Sequence, residues 1–354
     1  MRIFPLLAIL FLLSCHAALA EEAVPATAYF PVLPFDAPDG VLPQWIPLAV
    51  NHPLNESHAG ILRAIIVIHD ETRDANAALA TLAALAGNMN AAVMIVAPQF
   101  LLPSDVVGFA DHLPDKGHDF AAWQISGWAA GDDSMPVPAR PSVSSFTAID
   151  LLLMYLSDRS IFPDLREIVV AGFGAGANFT QRYAALSRAA DKVAQQNIDL
   201  RFVVAAASSY LYQTPVRPLG GRKGFGRPNA AACPDYDAYP FGLQKLNTYA
   251  RRVGSNAVKT DYALRFITYL NAGAENATAE TVCAVALQGK NRAERADSYR
   301  LYLQSLYGDV AAKTQTFSIA KDAKNSPTSL FGSTCGMAVL FGDGNCASPL
   351  GDVQ

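Results

Sequence analysis

Short runs of apolar residues alternate along the middle of the chain with stretches whose apolar positions recur at helical spacing. The run at 64–68 is continuously aliphatic, and Asp74 stands directly before a helical pattern over 75–87. Similar apolar runs follow at 91–97, 168–171, 202–207, 264–270 and 316–319, and similar helical patterns at 146–156, after Ser144 and Ser145, and at 177–190. Strands that alternate with amphipathic helices are typical of a mostly parallel sheet with helices on both faces. The pattern therefore predicts an α/β fold.

The segment 212–259 interrupts this alternation. It is rich in Pro, Gly, Arg and aromatic residues, and it includes the run RPLGGRKGFGRP at 217–228. In open α/β folds, insertions at the carboxyl edge of the sheet commonly cover a pocket. We therefore expect a small lid-like insertion at 212–259, with a surface loop of no particular role as the alternative. No Ser/Gly-rich or charged linker divides the rest, so 21–354 is expected to form a single domain.

The first twenty residues have the layout of a cleaved secretory signal. Arg2 precedes a largely apolar run at 3–13, and the small residues Ala18 and Ala20 follow. We expect cleavage after Ala20 and a secreted or periplasmic protein, with lipid attachment at Cys15 as the alternative. No stretch approaches the ~20 apolar residues of a membrane helix, so we expect no membrane span.

Charge and cysteine content narrow the function classes. The formal net charge is −4 with acids and bases scattered, which gives no indication of a nucleic-acid partner. Of the five cysteines, one lies in the signal segment, which leaves four in the exported chain. Three pairings of four cysteines exist, and we favour Cys233–Cys283 and Cys335–Cys346. Because no spacing is C-x-x-C, neither a metal site nor redox chemistry is expected.

A tight glycine turn follows one of the predicted strands. Residues 167–176, EIVVAGFGAG, match the strand–turn–helix context of the nucleophile elbow G-x-S-x-G, but Gly174 stands where that motif has its serine. In elbow enzymes the base follows the nucleophile along the chain. All six histidines precede this turn: His16, His52, His58, His69, His112 and His118.

The same turn also fits a second motif. Gly172, Gly174 and Ala177 satisfy the dinucleotide fingerprint G-x-G-x-x-G/A after a strand and before a helix. That fingerprint requires a carboxylate at the end of the next strand, where this chain has AAASS at 205–209. We therefore do not favour dinucleotide binding, and no cofactor is expected.

Several segments resemble one family, the exported bacterial α/β-hydrolase-fold proteins of largely unassigned substrate. The resemblance covers nearly all of the mature chain and is carried by segments at 65–76, 95–100, 128–146, 169–184, 202–212 and 283–295. It implies an α/β-hydrolase fold with a mostly parallel central sheet. It also implies that the loop after the first aliphatic strand and the elbow face one pocket, whose residues would be His69, Asp70, Phe173, Gly174 and Ala175.

The departures from the family concern its catalytic triad. The family's HSAGG becomes FGAGA at 173–177, so the nucleophile and the histidine before it are absent. The position of the acid corresponds to Glu275, and the position of the histidine to Lys324 or Asn325. The triad is therefore degenerate at Gly174 and in the histidine loop.

Loss of both nucleophile and base favours binding over catalysis. Triad members act as a unit, so losing one already costs a factor on the order of a million in turnover. We therefore expect a non-catalytic binding protein for a small molecule, glycan or protein. The alternative is a secreted esterase-type hydrolase with an unidentified nucleophile; Ser208 and Ser209 are the nearest serines, and we interpret them as structural. A third interpretation is decay without a retained role.

Overall fold

The computed structural model describes residues 26–110, 119–220, 224–273, 280–321, 323–343 and 346. Ten strands occur within these ranges: β1 Ala26–Val32, β2 Gln44–Val50, β3 Arg63–Ile68, β4 Val93–Pro98, β5 Glu167–Phe173, β6 Asp199–Ala205, β7 Arg217–Pro218, β8 Phe225–Gly226, β9 Phe266–Ala272 and β10 Gln315–Ala320. Eight of them form one sheet in the order β1-β2-β4-β3-β5-β6-β9-β10. The strands from β4 to β10 in that order are parallel, while β1 and β2 pair antiparallel.

Helices cover the two faces of this sheet. The α-helices are α1 Ala75–Ala86, α2 Val106–Ala110, α3 Ser145–Leu156, α4 Ala175–Leu186, α5 Ala190–Gln195, α6 Thr248–Val253, α7 Ser255–Asp261, α8 Cys283–Ala286, α9 Arg292–Tyr307, α10 Asp309–Thr314, α11 Pro327–Phe331 and α12 Thr334–Phe341. Short 3-10 helices occupy Gly87–Ala92, Trp128–Ala130 and Tyr262–Leu264. Within the described ranges, no helix has both the length and the apolar character needed to cross a membrane.

The core has two halves because successive side chains of a strand point to opposite faces. From β3, Ile66 and Ile68 pack with α3, α4 and α9, whereas Ile65 and Val67 pack with α1, α11 and α12. Both faces of β3 to β6 are thus buried, which explains the uninterrupted aliphatic runs in these strands. The predicted mostly parallel sheet with helices on both faces is confirmed.

Some predicted boundaries were wrong. The helix expected over 177–190 begins at Ala175 and ends at Leu186, because the helix starts directly at the glycine turn. The strand expected at 264–270 is observed at Phe266–Ala272. Leu264, the first residue of the expected strand, belongs to the 3-10 helix Tyr262–Leu264. The antiparallel strands β1 and β2 were not predicted.

A buried arginine connects separate described parts of the segment 212–259, which we call the insertion. The insertion contains β7, β8, α6 and part of α7. The Arg217 guanidinium donates to the carbonyl oxygens of Tyr236, at 2.8 Å, and Phe241, at 2.9 Å, and lies over the Tyr212 ring. Disulfides join Cys233 to Cys283 and Cys335 to Cys346. The first of these bonds ties the insertion to α8.

Candidate functional site

The glycine turn joins β5 to α4 in a sharply bent conformation. Gly174 has φ 57° and ψ −114°, a combination that costs a residue with a side chain on the order of 1–3 kcal/mol. Its N–H donates to the carbonyl oxygen of Ala205 at 3.0 Å. A Cβ on Gly176 would lie 2.3 Å from the Ile68 carbonyl oxygen, so α4 and β3 approach as closely as backbone allows. Strand, turn and helix are therefore arranged as in a nucleophile elbow.

The space above Gly174 is filled by a carboxylate. A Cβ placed on Gly174 would lie 2.3 Å from Oδ1 of Asp70 and 2.8 Å from its Cγ. The same Oδ1 accepts a hydrogen bond from the Ala175 N–H at 2.8 Å. In G-x-S-x-G enzymes, the amide after the nucleophile stabilises the oxyanion. In this chain that amide binds the Asp70 side chain instead.

His69 positions the loop that carries Asp70. Its Nε2 accepts from the Phe100 N–H at 3.0 Å, so Nδ1 carries the proton and donates to the Asp70 carbonyl oxygen at 2.9 Å. The ring is 1% exposed and packs against Trp128, with centroids 4.6 Å apart. Burial lowers the pKa of His69 to about 4. This imidazole is therefore neutral, and both of its nitrogens are engaged.

Four of the five residues predicted to line one pocket are divided between two cavities, and Gly174 lines neither. His69, Asp70 and Phe173 line a small cavity of about 90 Å³, which Pro327 and Phe331 also line. Ala175 lies instead in a cleft of about 760 Å³. Gly174 lies in the turn between the two, with its Cβ direction towards Asp70. The turn of the elbow thus separates the cavities.

The larger cleft lies between the sheet edge and the insertion. The segment 125–132 and the first turns of α4 form one side, and Tyr239, Phe241 and Asn247 of the insertion form another. Asn247 Nδ2 donates to the Ala130 carbonyl oxygen and to Asp132 Oδ1, both at 2.9 Å. The insertion is thereby fixed to the 125–132 segment, and it forms a wall of the cleft.

Polar side chains converge on the inner wall of this cleft. Asn178 Oδ1 accepts from the backbone N–H groups of Ser208 and Ser209, and its Nδ2 donates to Ser208 Oγ at 2.7 Å. Arg182 Nη1 donates to the Ala129 carbonyl oxygen at 2.8 Å, and Nη2 donates to Ser209 Oγ at 3.2 Å. Burial lowers the pKa of Arg182 to about 10, so the guanidinium remains charged at neutral pH.

Sequence reasoning did not identify Asn178 and Arg182, and it took Ser208 and Ser209 as structural. The two serines do hold backbone and side-chain hydrogen bonds, but Ser208 also lines the cleft. Positions 174, 178 and 182 are four residues apart and therefore lie on one face of the helix. This spacing could have indicated from the sequence that Asn178 and Arg182 share a face with the turn.

The structure places two of the three other predicted triad positions. Glu275 lies outside the described residues. Lys324 and Asn325 are exposed, and the Lys324 N–H donates to Ser329 Oγ at 2.8 Å. Neither lines either cavity, although α11 after them contributes Pro327 and Phe331 to the smaller one. Across the described ranges, no cluster of three metal-ligating side chains occurs.

Comparison with known proteins identifies the fold. No family model and no curated protein matches the chain. LpqC, a poly(3-hydroxybutyrate) depolymerase from Bordetella parapertussis, superimposes with a TM-score of 0.57 and 13% identity over 92% of each chain. The chain has the α/β-hydrolase fold. Poly(aspartic acid) hydrolase-1 from Sphingomonas sp. KT-1 is also similar, with a TM-score of 0.54 and 16% identity over 86% of this chain and 96% of that one.

Proposed function

We propose that this chain is an exported protein that binds a ligand in the 760 Å³ cleft without hydrolysing it. The observation that carries the proposal is the contact of Asp70 Oδ1 with the Ala175 N–H above Gly174. Elbow chemistry requires a nucleophile at 174 and a free amide at 175. This chain has glycine at position 174, and the Ala175 N–H is already bonded to the Asp70 carboxylate.

The electrostatics of the elbow also oppose acyl transfer. A tetrahedral intermediate places negative charge at the amide of residue 175, where hydrogen-bond donors must be free to receive it. The Asp70 carboxylate occupies that donor and would repel the developing oxyanion. The described residues offer no histidine base either, because His69 lines the smaller cavity with both ring nitrogens bonded, and no described histidine lines the cleft.

The cleft has the features of a ligand site. Its volume of about 760 Å³ lies in the range of small-molecule pockets, roughly 300–1,000 Å³. Convergent polar groups at Asn178, Arg182 and Ser208 line its inner wall, and apolar side chains such as Ile125 and Phe241 line other parts. Polar groups that converge in a concave site and can fix the orientation of a ligand are typical of binding sites.

A ligand screen tests this proposal. Thermal melting is measured with short carboxylic acids, monosaccharides, disaccharides and dipeptides, and with the variant Ala175→Leu, which places a larger side chain at the cleft. Ala80→Leu, on the exposed side of α1, is the matched control. We expect at least one compound that stabilises the wild type and the control but not Ala175→Leu, and that is recovered unchanged. Stabilisation that is identical in all three proteins, or conversion of the compound, contradicts the proposal.

Hydrolysis is the second candidate function, and it is favoured by the names of both similar structures. In the cleft, Ser208 Oγ accepts from Asn178 Nδ2, so its own proton is available to a base. Turnover of nitrophenyl acetate and nitrophenyl butyrate by the wild type and by Ser208→Ala separates the candidates. Hydrolysis that Ser208→Ala abolishes would establish the second candidate, and the absence of turnover in both proteins supports binding.

A further inference from the structure

We infer that the inner wall of the cleft binds the carboxylate of an organic acid, with Arg182 as its counter-ion. The inference rests on the proposed function in one respect, since it takes the 760 Å³ cleft as the ligand site. It adds the chemical class of the ligand. Its basis is a buried cation in the cleft wall that lacks a carboxylate partner.

Arg182 is incompletely satisfied by the protein. The side chain is 4% exposed, and its bonds go to the neutral acceptors Ala129 O and Ser209 Oγ. Its Nε is buried without a hydrogen-bond partner among the described residues. Buried charges are normally paired, because moving a charge out of water without a partner is costly. An anionic ligand group would supply the missing partner.

The other cations of the cleft already have partners. Arg73 forms an ion pair with Asp105 at 3.0 Å, and Lys245 forms one with Asp235 at 2.7 Å. No described carboxylate lies within ion-pair distance of Arg182. Asp132 lies on the same wall and its charge acts on Arg182 from beyond ion-pair distance, while its Oδ1 accepts a hydrogen bond from Asn247 Nδ2. Arg182 is therefore the cation of the cleft that is left for a ligand.

The lining of the cleft fits a carboxylate attached to an apolar body. Ser208 is held by Asn178 and keeps its hydroxyl proton available for a second donor contact to the anion. Ile125, which is 73% exposed, and Val282, which is 46% exposed, line the same cleft. A guanidinium favours carboxylates because its planar fork matches their two oxygens. A medium-chain carboxylic acid combines the two features.

Calorimetric titration with octanoate and octanamide tests the inference, because the two differ in the charge of the head group. Charge-assisted hydrogen bonds contribute about 1.5–3 kcal/mol, so we expect the wild type to bind octanoate at least about tenfold more tightly than octanamide. Arg182→Gln should remove this preference and leave octanamide binding within about twofold. Lys245→Gln is the control for nonspecific charge in the cleft, and we expect it to change octanoate affinity less than about twofold.

The outcomes separate this inference from the proposed function. Equal binding of octanoate and octanamide, failure of both to bind, or a preference that survives in Arg182→Gln overturns the carboxylate site. The ligand screen with Ala175→Leu then decides independently whether the cleft binds anything else. If Arg182→Gln does not fold, Arg182→Lys keeps the charge but loses the fork; a reduced octanoate preference supports the inference, and an unchanged one overturns it.

Discussion

At the scale of residues, Gly174 and Asp70 act as a pair. Asp70 can reach the Ala175 amide because position 174 has no Cβ, and the side chain in turn fills the space that a serine would occupy. The glycine at position 174 and the turn around it can be recognised in the sequence, since the motif is local. The contact with Asp70 cannot, because it depends on how the loop after β3 packs against a turn about a hundred residues away.

The pair predicts a specific coupling between two substitutions. Gly174→Ser should destabilise the protein by about 1–3 kcal/mol, because the turn strains a residue with a Cβ and the serine collides with Asp70. Asp70→Ala should relieve the collision, so that the double variant is more stable than the sum of the single effects by about 1 kcal/mol. Urea denaturation of the four proteins measures this coupling.

A matched series checks that collision is the cause. Asp70→Asn keeps the size of the side chain, so combining it with Gly174→Ser should give no such relief. Additive effects in the Asp70→Ala series would refute the pairing. Gly174→Ser should also show no gain in hydrolysis of nitrophenyl esters, because no described histidine lines the cleft to take the serine proton.

At the scale of elements, a buried carboxylate ties several helices together. Asp150 of α3 accepts from the hydroxyls of Tyr183 in α4 and Tyr249 in α6, both at 2.7 Å, and from the Ala189 N–H at 3.2 Å. Burial raises the pKa of Asp150 to about 6. The folded protein therefore holds this proton more tightly than the unfolded chain does.

This raised pKa predicts a pH-dependent contribution to stability. The contribution is fully present below about pH 4, the ordinary value for an aspartate, and is lost as the pH rises through about 6. The loss is on the order of 3 kcal/mol. The free energy of unfolding of the wild type minus that of Asp150→Asn should therefore be larger at pH 4 than at pH 7.5. Denaturant unfolding of both proteins at the two pH values measures this difference in stability. A difference between the two proteins that does not change with pH would contradict the raised pKa of Asp150.

The disulfides should contribute unequally. Cys233–Cys283 spans 50 residues and Cys335–Cys346 spans 11, and the entropy lost by the unfolded chain grows with loop length. Replacing both cysteines of a pair by serine should cost about 4 kcal/mol for the first and about 3 kcal/mol for the second. Urea denaturation gives both values. A larger loss of stability on removing Cys335–Cys346 would show that loop-closure entropy does not dominate the contribution of these disulfides.

The sequence predicted the central strands better than the edge. β3 to β6 are buried on both faces and appear as continuous aliphatic runs, which are recognisable locally. β1 and β2 lie at the antiparallel edge, and each contains a proline, Pro31 and Pro47, within a mixed sequence. A proline in a segment usually indicates that the segment is not a strand, but proline is tolerated in edge strands, and here the two segments pair with each other.

At the scale of the whole molecule, the α/β-hydrolase fold was predictable and the ligand cleft was not. The alternation of strands and helices in the sequence predicted the α/β class, and the family resemblance implied the hydrolase fold. The cleft brings together α4, the loop after β6, the segment 125–132 and the insertion, which are distant in sequence. The division of the predicted pocket into two cavities has the same origin, since Ala175 and Asp70 lie on different sides of the turn.

The central claim is that the fold is retained without an active elbow, and intact-mass measurement tests it most directly. The purified protein is incubated with a fluorophosphonate, which forms a covalent adduct with the activated serine of serine hydrolases, and a serine esterase serves as the positive control. We predict an unchanged mass for this protein under conditions that label the esterase completely. A stoichiometric adduct on any serine, located by peptide mapping, would show an activated nucleophile and contradict the account.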